Sequence, residues 1–236
     1  MKRVVLSWSS GKDSAWAFHV LRQRGDVEVT ALLTTFNEAV DRVAMHATRR
    51  ALVQAQAEAV GLPLLSIPLP WPCSNDDYER RTVAALTQAK AEGATHVAFG
   101  DLFLEDVRAY RERLVEGTGL EPMFPLWNLP GGTAKLAQQM LGSGLRATLV
   151  CVDPKQLDPS FLGRSYDQAL LADLPASCDP CGENGEFHTF CHAGPMFSRS
   201  LSIQLGIQLE RDGFWFADLT LSTRHSQSNP ASHSKH

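Results

Sequence analysis

No run of about 18 consecutive apolar residues occurs in this 236-residue chain, so nothing in it predicts a membrane-spanning helix. Positive charge is not in excess either. The formal net charge of -4 argues against a surface that coats nucleic acid, although it leaves room for a local basic patch. Cysteine is sparse and odd in number: Cys73, Cys151, Cys178, Cys181 and Cys191 do not form a secreted disulfide framework, and reduced thiols are expected. No internal repeat is evident, and the missing apolar run together with the want of a cleavable signal pattern predicts a cytoplasmic protein. Two familiar phosphate loops are also missing. G-x-x-x-x-G-K-S/T fails because Asp13 follows Gly11-Lys12 and the upstream glycine is absent, and G-x-G-x-x-G fails for want of glycines.

What is present begins at Val4-Val5-Leu6-Ser7-Trp8-Ser9-Ser10-Gly11-Lys12-Asp13-Ser14. An apolar β-prone run stops at small residues, and a helical pattern with Ala17, Val20 and Leu21 on one face follows. Strand, tight loop and helix make an anion site: free N–H groups and a positive dipole end point at whatever the loop holds. Lys12 adds a cation, Ser9 and Ser14 add hydroxyls, and Asp13 can hold a magnesium ion bridging phosphates.

Hydrophobic residues make up 44% of the chain, enough for a real core in one large domain or two small ones. Val27 to Thr35 is a second strand, and its end, Thr34, Thr35, Phe36 and Asn37, is placed to line a ligand pocket. Asp41 to Val60 reads as one long helix stopped by Gly61 and Pro63, with Arg42, His46, Arg49 and Arg50 sharing a face. A third strand spans Leu64 to Leu69, a helix capped by Ser74 runs to about Gly93, and a fourth strand spans Thr95 to Phe99. That strand ends in Gly100-Asp101, where a carboxylate behind a glycine can touch a ligand or metal. Glu105 and Arg108 follow as weaker candidates for substrate contact. Met123 to Trp127 reads as a fifth strand, a helix covers Thr133 to Leu141, and Leu145 to Val152 is a further strand. The expected division is 1–130, 131–222, and a disordered tail from 223 to 236. Arg164, behind Gly163, could meet a substrate carboxylate or phosphate.

The second dense stretch is Cys178-Asp179-Pro180-Cys181-Gly182-Glu183-Asn184-Gly185-Glu186-Phe187-His188-Thr189-Phe190. Glu186 and His188, two apart on a following strand, would project together, and the cluster suits an amide-bearing or zwitterionic substrate. Cys178 and Cys181 with His188, Cys191 or His192 also have zinc-like elements, but the spacing is short and no second C-x-x-C exists.

Ser9-Ser10-Gly11-Lys12-Asp13-Ser14 resembles the PP-loop, S-G-G-x-D-S/T, with Ser10 in place of the first glycine. Together with Gly100-Asp101 and Gly182-Glu183-Asn184-Gly185-Glu186-Phe187-His188-Thr189, it resembles the diphthine–ammonia ligase family of PP-loop ATP pyrophosphatases, over nearly all residues up to about 222. The resemblance implies an α/β fold: a HUP-type, Rossmann-like parallel sheet domain and a smaller C-terminal α+β domain. It implies ATP and magnesium, a carboxylate substrate that is small or protein-borne, and ammonia, joined in AMP-forming amide synthesis. Ser9, Ser10, Gly11, Lys12, Asp13, Ser14, Thr35, His46, Gly100 and Asp101 then fall on the ATP side, with Asp13 and Asp101 toward magnesium. Glu105, Arg108, Arg164, Glu183, Asn184, Glu186 and His188 fall on the substrate side, and Lys12, Asp13, Glu186 and His188 are the catalytic candidates. A nucleotide sensor of the universal-stress type and an RNA-modifying PP-loop enzyme are the rival readings. The acid and the oligomeric state, a homodimer included, stay open.

Overall fold

The computed structural model describes residues 1–43 and 47–222. In chain order the first part contains β1 (Lys2–Ser7), α1 (Lys12–Arg22), β2 (Val27–Asn37), β3 (Arg42–Val43), α2 (Arg50–Val60) and β4 (Leu64–Leu69). It continues through α3 (Asn75–Ala91), β5 (His96–Ala98), α4 (Glu105–Val115), β6 (Glu121–Met123) and α5 (Gly132–Gly142). Strands β4, β2, β1, β5 and β6 lie side by side in parallel. Alternation of side chains along them separates two cores. Leu6, Leu32 and Phe36 face α1 and α2, while Val5, Leu33, Ile67 and Val97 face α3 and α4. The chain leaves β1 toward β2 and later returns past it to β5, so the carboxyl ends of β1 and β5 flank the switch point where open α/β sheets bind ligands.

The second part contains β7 (Arg146–Val152), a 3-10 turn at Pro159–Phe161, α6 (Gln168–Asp173), β8 (Phe187–Ala193), β9 (Ile203–Arg211) and β10 (Phe214–Leu221). Its four strands form an antiparallel sheet in the order β8, β7, β10, β9. Leu52, Ala55 and Ala59 of α2 pack with Val150, Phe190 and Leu219 of this sheet, which ties the two sheets together. Helix α1 is buried more widely than a single apolar stripe would require. Trp16 and Phe18 are buried beside Ala17 and Leu21 because β8 covers the helix on a side away from the main sheet. Among the described residues, no helix is long and apolar enough to cross a membrane.

Two expectations are corrected. The helix expected from Asp41 starts only at Arg50: Arg42 and Val43 pair antiparallel with Asn37 and Phe36, and Ala47 takes φ 54° before Arg49 caps the helix. Cross-strand pairing overrides the helical spacing of the arginines. The strand expected over 123–127 is instead Glu121–Met123; Pro122 is tolerated there because the strand is an edge, and Trp127 N–H turns back to the Phe124 carbonyl at 3.2 Å. His46 and the tail from 223 lie outside the described residues.

Candidate active site

The loop between β1 and α1 is shaped from behind. Ser10 stands at φ 72°, the left-handed conformation that glycine takes freely and that costs other residues about 1–2 kcal/mol. Its carbonyl accepts from Cys191 N–H (2.9 Å) and Gln56 Nε2 (3.0 Å), and its Oγ donates to Thr48 Oγ1 (3.0 Å). Gln56 is completely buried and fully used, because it also donates to the Cys191 carbonyl (2.6 Å) and accepts from Trp8 Nε1 (2.8 Å). Thr189 completes the buttress: its Oγ1 accepts from Lys12 N–H at 3.1 Å. A Cβ on Gly11 would stand 3.2 Å from the Thr189 carbonyl oxygen, so the loop and β8 approach as closely as glycine permits. Ser9 and Ser14 hydroxyls lie 3.2 Å apart.

Lys12 does not reach outward. Its side chain is 2% exposed, and Nζ donates to Asp13 Oδ2 (2.8 Å) and Oδ1 (3.0 Å) and to the Cys181 carbonyl, between the rings of Tyr166 (5.4 Å) and Phe187 (5.5 Å). Burial alone would lower its pKa, but Asp13 and the surrounding negative groups raise it, so Lys12 stays an ammonium. Beside this pair, the space over Gly100 is closed by the turn into α1: a Cβ there would meet Asp13 C and Ser14 N at 3.1 Å. Asp101 follows, pushed up by burial and pulled down by Arg111, whose Nε is 3.5 Å from Oδ2. Neither of those two atoms has a hydrogen-bond partner. Asp101 caps no helix, since α4 starts behind Leu104.

Glu183 closes the ring of carboxylates. Its Oε1 accepts from Leu102 N–H at 2.6 Å, and burial pushes its carboxyl up to about 7, with Asp13 and Asp101 adding to the rise. Asp179, which the sequence did not single out, anchors the turn that carries it: Oδ1 accepts from Cys181 N–H (2.8 Å) and Glu183 N–H (3.3 Å). Glu186 is 1% exposed and is committed to the same turn, accepting from Asp179 N–H (2.7 Å), Asn184 N–H (3.0 Å) and Asn184 Nδ2 (3.0 Å). His188 diverges from Glu186 and lines the open cleft, its pKa lowered by burial to about 4 so that it is neutral. Cys178 and Cys181 are buried thiols, each pushed up to about 12 by burial, and among the described residues no three His, Cys, Asp or Glu side chains gather to hold a metal.

The cleft itself, about 990 Å³, opens at the strand ends and is lined by Ser9, Thr35, Asn37, Arg42, Arg111 and His188 among others. Thr34 and Phe36 point the other way: Thr34 Oγ1 donates to the Trp8 carbonyl at 2.7 Å and Phe36 is fully buried. Arg42 and Arg49, although not on one helix, converge on Asp218 of β10, with Arg42 Nη1 2.8 Å from Oδ1 and Arg49 Nε 2.9 Å from the same oxygen. Three expected substrate contacts lie elsewhere. Arg108 pairs with Glu112 at 2.8 Å and stacks over Phe124 and Trp127, Arg164 pairs with Asp173 at 2.6 Å, and Glu105 is exposed in the first turn of α4. Gln56, Thr189 and Arg111 are supports the sequence reading did not assign; only Thr189 carried a signal, as the end of the Gly-rich stretch.

Fold and site together define a Rossmann-like α/β protein with a strand–loop–helix turn at the switch point, backed by a second, antiparallel sheet. The chain belongs to the diphthamide synthase family: residues 1–122 match its N-terminal domain and residues 132–226 its C-terminal domain. It is 25% identical over 166 residues to the diphthine–ammonia ligase of Bos taurus, covering 64% of this chain and 61% of that protein. To the diphthine–ammonia ligase of Homo sapiens it is 25% identical over 136 residues, covering 56% of this chain and 50% of the relative. The chain therefore matches less than two thirds of the length of either relative. A solved structure described as a predicted subunit of tRNA methyltransferase from Methanocaldococcus jannaschii aligns at 15% identity with a TM-score of 0.40, over 67% of this chain and 81% of that one.

Proposed function

We propose that the protein is an ATP-dependent, AMP-forming ligase that joins ammonia to a carboxylic acid, with residues 1–130 holding the nucleotide and residues 131–222 completing the substrate side. The observation that carries the reading is the loop Ser9–Ser14 at the switch point, braced by Thr189 of the Gly-rich stretch and Cys191 just after it, and facing Asp101 and Glu183. The family match and its diphthine–ammonia ligase relatives support the same chemistry.

A polyphosphate would lie over the loop N–H groups and the start of α1, with the buried Lys12 ammonium beneath. Asp13 and Asp101 fit magnesium: both are carboxylates, and Asp101 Oδ2 is buried with no hydrogen-bond partner. Bound there, the ion would neutralise phosphate charge. A carboxylate oxygen of the acid attacks the α-phosphorus while the bond to the pyrophosphate oxygen breaks. The ammonia lone pair then attacks the acyl carbon, AMP departs with the bonding pair, and the surplus proton passes to water. Lys12 holds Asp13 in place, Glu183 shapes the acyl side, and Glu186 fixes the turn that presents it.

Incubation with ATP labelled at the α-phosphate, magnesium, ammonium and a small-molecule cell extract tests this. Labelled AMP with pyrophosphate, lost in Asp101→Asn, is expected; ADP, or no turnover above the variant, would overturn the assignment.

A further inference from the structure

The second sheet gives the cleft a wall of its own. Cys151 pairs with His188 on one side and with Phe216 on the other, and residues directly opposite share a face, so the three form a row across β8, β7 and β10. All three line the cleft. One end of the row adjoins the phosphate loop, because His188 directly precedes Thr189, whose Oγ1 accepts from Lys12 N–H. Two strand spacings, about 10 Å, separate that end from Phe216. There the turn between β9 and β10 adds Arg211, in register with Phe214, and its guanidinium lies over the Phe216 ring at 4.9 Å. Phe214 and Phe216 are half-buried and the Arg211 side chain is 45% exposed, so this part of the wall is open to a ligand.

Arg211 is also the least committed of the arginines that line the cleft. Arg42 donates to Asp218 and to the Ala47 carbonyl, and Arg111 pairs with Asp101. The Arg211 side chain makes no hydrogen bond among the described residues; Asp212, 3.7 Å from Nε and 71% exposed, neutralises it only weakly. Its charge is felt inside the cleft: burial pushes the Cys151 thiol up to about 12, Asp153 adds to the rise, and Arg211 opposes it. A guanidinium stacked on a ring keeps its edge donors for a bidentate anion.

We infer that Arg211 is a specificity-determining residue for an acid that carries a second anionic group at its far end: that group sits on Arg211, the apolar middle lies along the row beside Phe216, and the reacting carboxylate lies at the phosphate-loop end. The inference rests on the ligase reading above and names the substrate class for it. Arg211, Phe214 and Phe216 all belong to residues 131–222, the part given to the substrate side. An acid anchored at both ends of the row has its reacting carboxylate held in place, which is how a remote contact serves the chemical step.

Calorimetry on the whole chain with three probes, suberate, 8-hydroxyoctanoate and succinate, decides it, alongside titration with ATP and magnesium. Suberate and 8-hydroxyoctanoate match in length and differ in one charge, and succinate is too short to cross the row. Suberate should bind more tightly than either by about threefold to tenfold, the range for one charge-assisted contact at a half-exposed site. Arg211→Gln, at an exposed position and thus safe for the fold, should erase the advantage over 8-hydroxyoctanoate while ATP affinity stays within about twofold. Arg211→Lys, which keeps the charge and loses the fork, should restore part of it. An advantage that survives Arg211→Gln, or succinate or 8-hydroxyoctanoate binding as tightly as suberate, would overturn the inference. Loss of ATP affinity in Arg211→Gln would give the arginine to the triphosphate and overturn it as well. The expected suberate pattern in a chain that releases no AMP with the cell extract would refute the ligase reading and leave the anion contact standing. AMP release with that extract, unchanged in Arg211→Gln, would refute the role of Arg211 alone.

Discussion

Replacing Glu186 by glutamine changes one oxygen into an amide nitrogen at a site where both oxygens accept. The carboxylate receives Asp179 N–H and Asn184 Nδ2 on Oε1, at 2.7 and 3.0 Å, and Asn184 N–H on Oε2 at 3.0 Å. Glutamine can keep its carbonyl toward the first pair, but its NH₂ then meets Asn184 N–H donor to donor. One hydrogen bond to a charged group is lost, at about 1.5–3 kcal/mol, and a partly buried N–H loses its partner. The two remaining bonds weaken with the charge. A total near 2–3 kcal/mol follows, which for a chain of this size lowers the melting temperature by about 4–12 °C. Differential scanning calorimetry measures it. Because the turn carries Glu183, which accepts from Leu102 N–H, AMP formation should fall together with stability, and cooling should restore part of it. A variant as stable as the parent but inactive would refute the reasoning and return Glu186 to direct contact with substrate.

Two further outcomes follow from the same geometry. Asp218 has its pKa lowered chiefly by the Arg49 hydrogen bond and by Arg42, so its stabilisation is present above the unfolded carboxylate range and disappears as pH falls through the folded value. The stability gap between the parent and Asp218→Asn, about 1 kcal/mol with Arg49 half exposed, should therefore narrow as pH falls below the ordinary carboxylate range and close once the folded value is passed, in urea titrations; a gap independent of pH would contradict it. Gly100→Ala puts a Cβ 3.1 Å from backbone atoms of Asp13 and Ser14, which cannot move without displacing the start of α1. A loss of about 1–3 kcal/mol and weaker ATP affinity are expected by thermal shift, and unchanged ATP affinity would separate Gly100 from the phosphate loop.

The strand, loop and helix at Val4 to Leu21 were legible because every signal there is local: an apolar run, small residues, then helical spacing. So was the Gly-rich turn, whose density of polar side chains has no use in a core. The arginine stretch was not, because Arg42 and Arg49 answer to Asp218, 176 and 169 residues away, and no local pattern encodes a cross-sheet carboxylate. The hairpin of β9 and β10 and helix α6 drew no assignment for a related reason: β10 gains its place by pairing with β7 and β9, beyond the reach of its own sequence window. Lys12 shows the same limit within the motif itself. Its position announced a cation, but its direction, inward to Asp13 and Cys181, is set by Tyr166 and Phe187.

Distance in sequence also accounts for Ser10 where the PP-loop pattern has glycine. A left-handed serine costs about 1–2 kcal/mol, too much for a loop that must hold its shape alone. This loop is not alone. The Ser10 carbonyl takes two donors and its hydroxyl takes Thr48, all inside the core, and net contributions of about 0.5–1.5 kcal/mol for each such bond are enough to offset the strain. Of these bonds only the one from Ser10 Oγ to Thr48 Oγ1 comes with the serine side chain; the two on the carbonyl hold the left-handed backbone whichever residue stands there. The conformation at Ser10 belongs to the assembled pair of sheets, and the phosphate loop is as much a product of β8 as of the strand that leads into it.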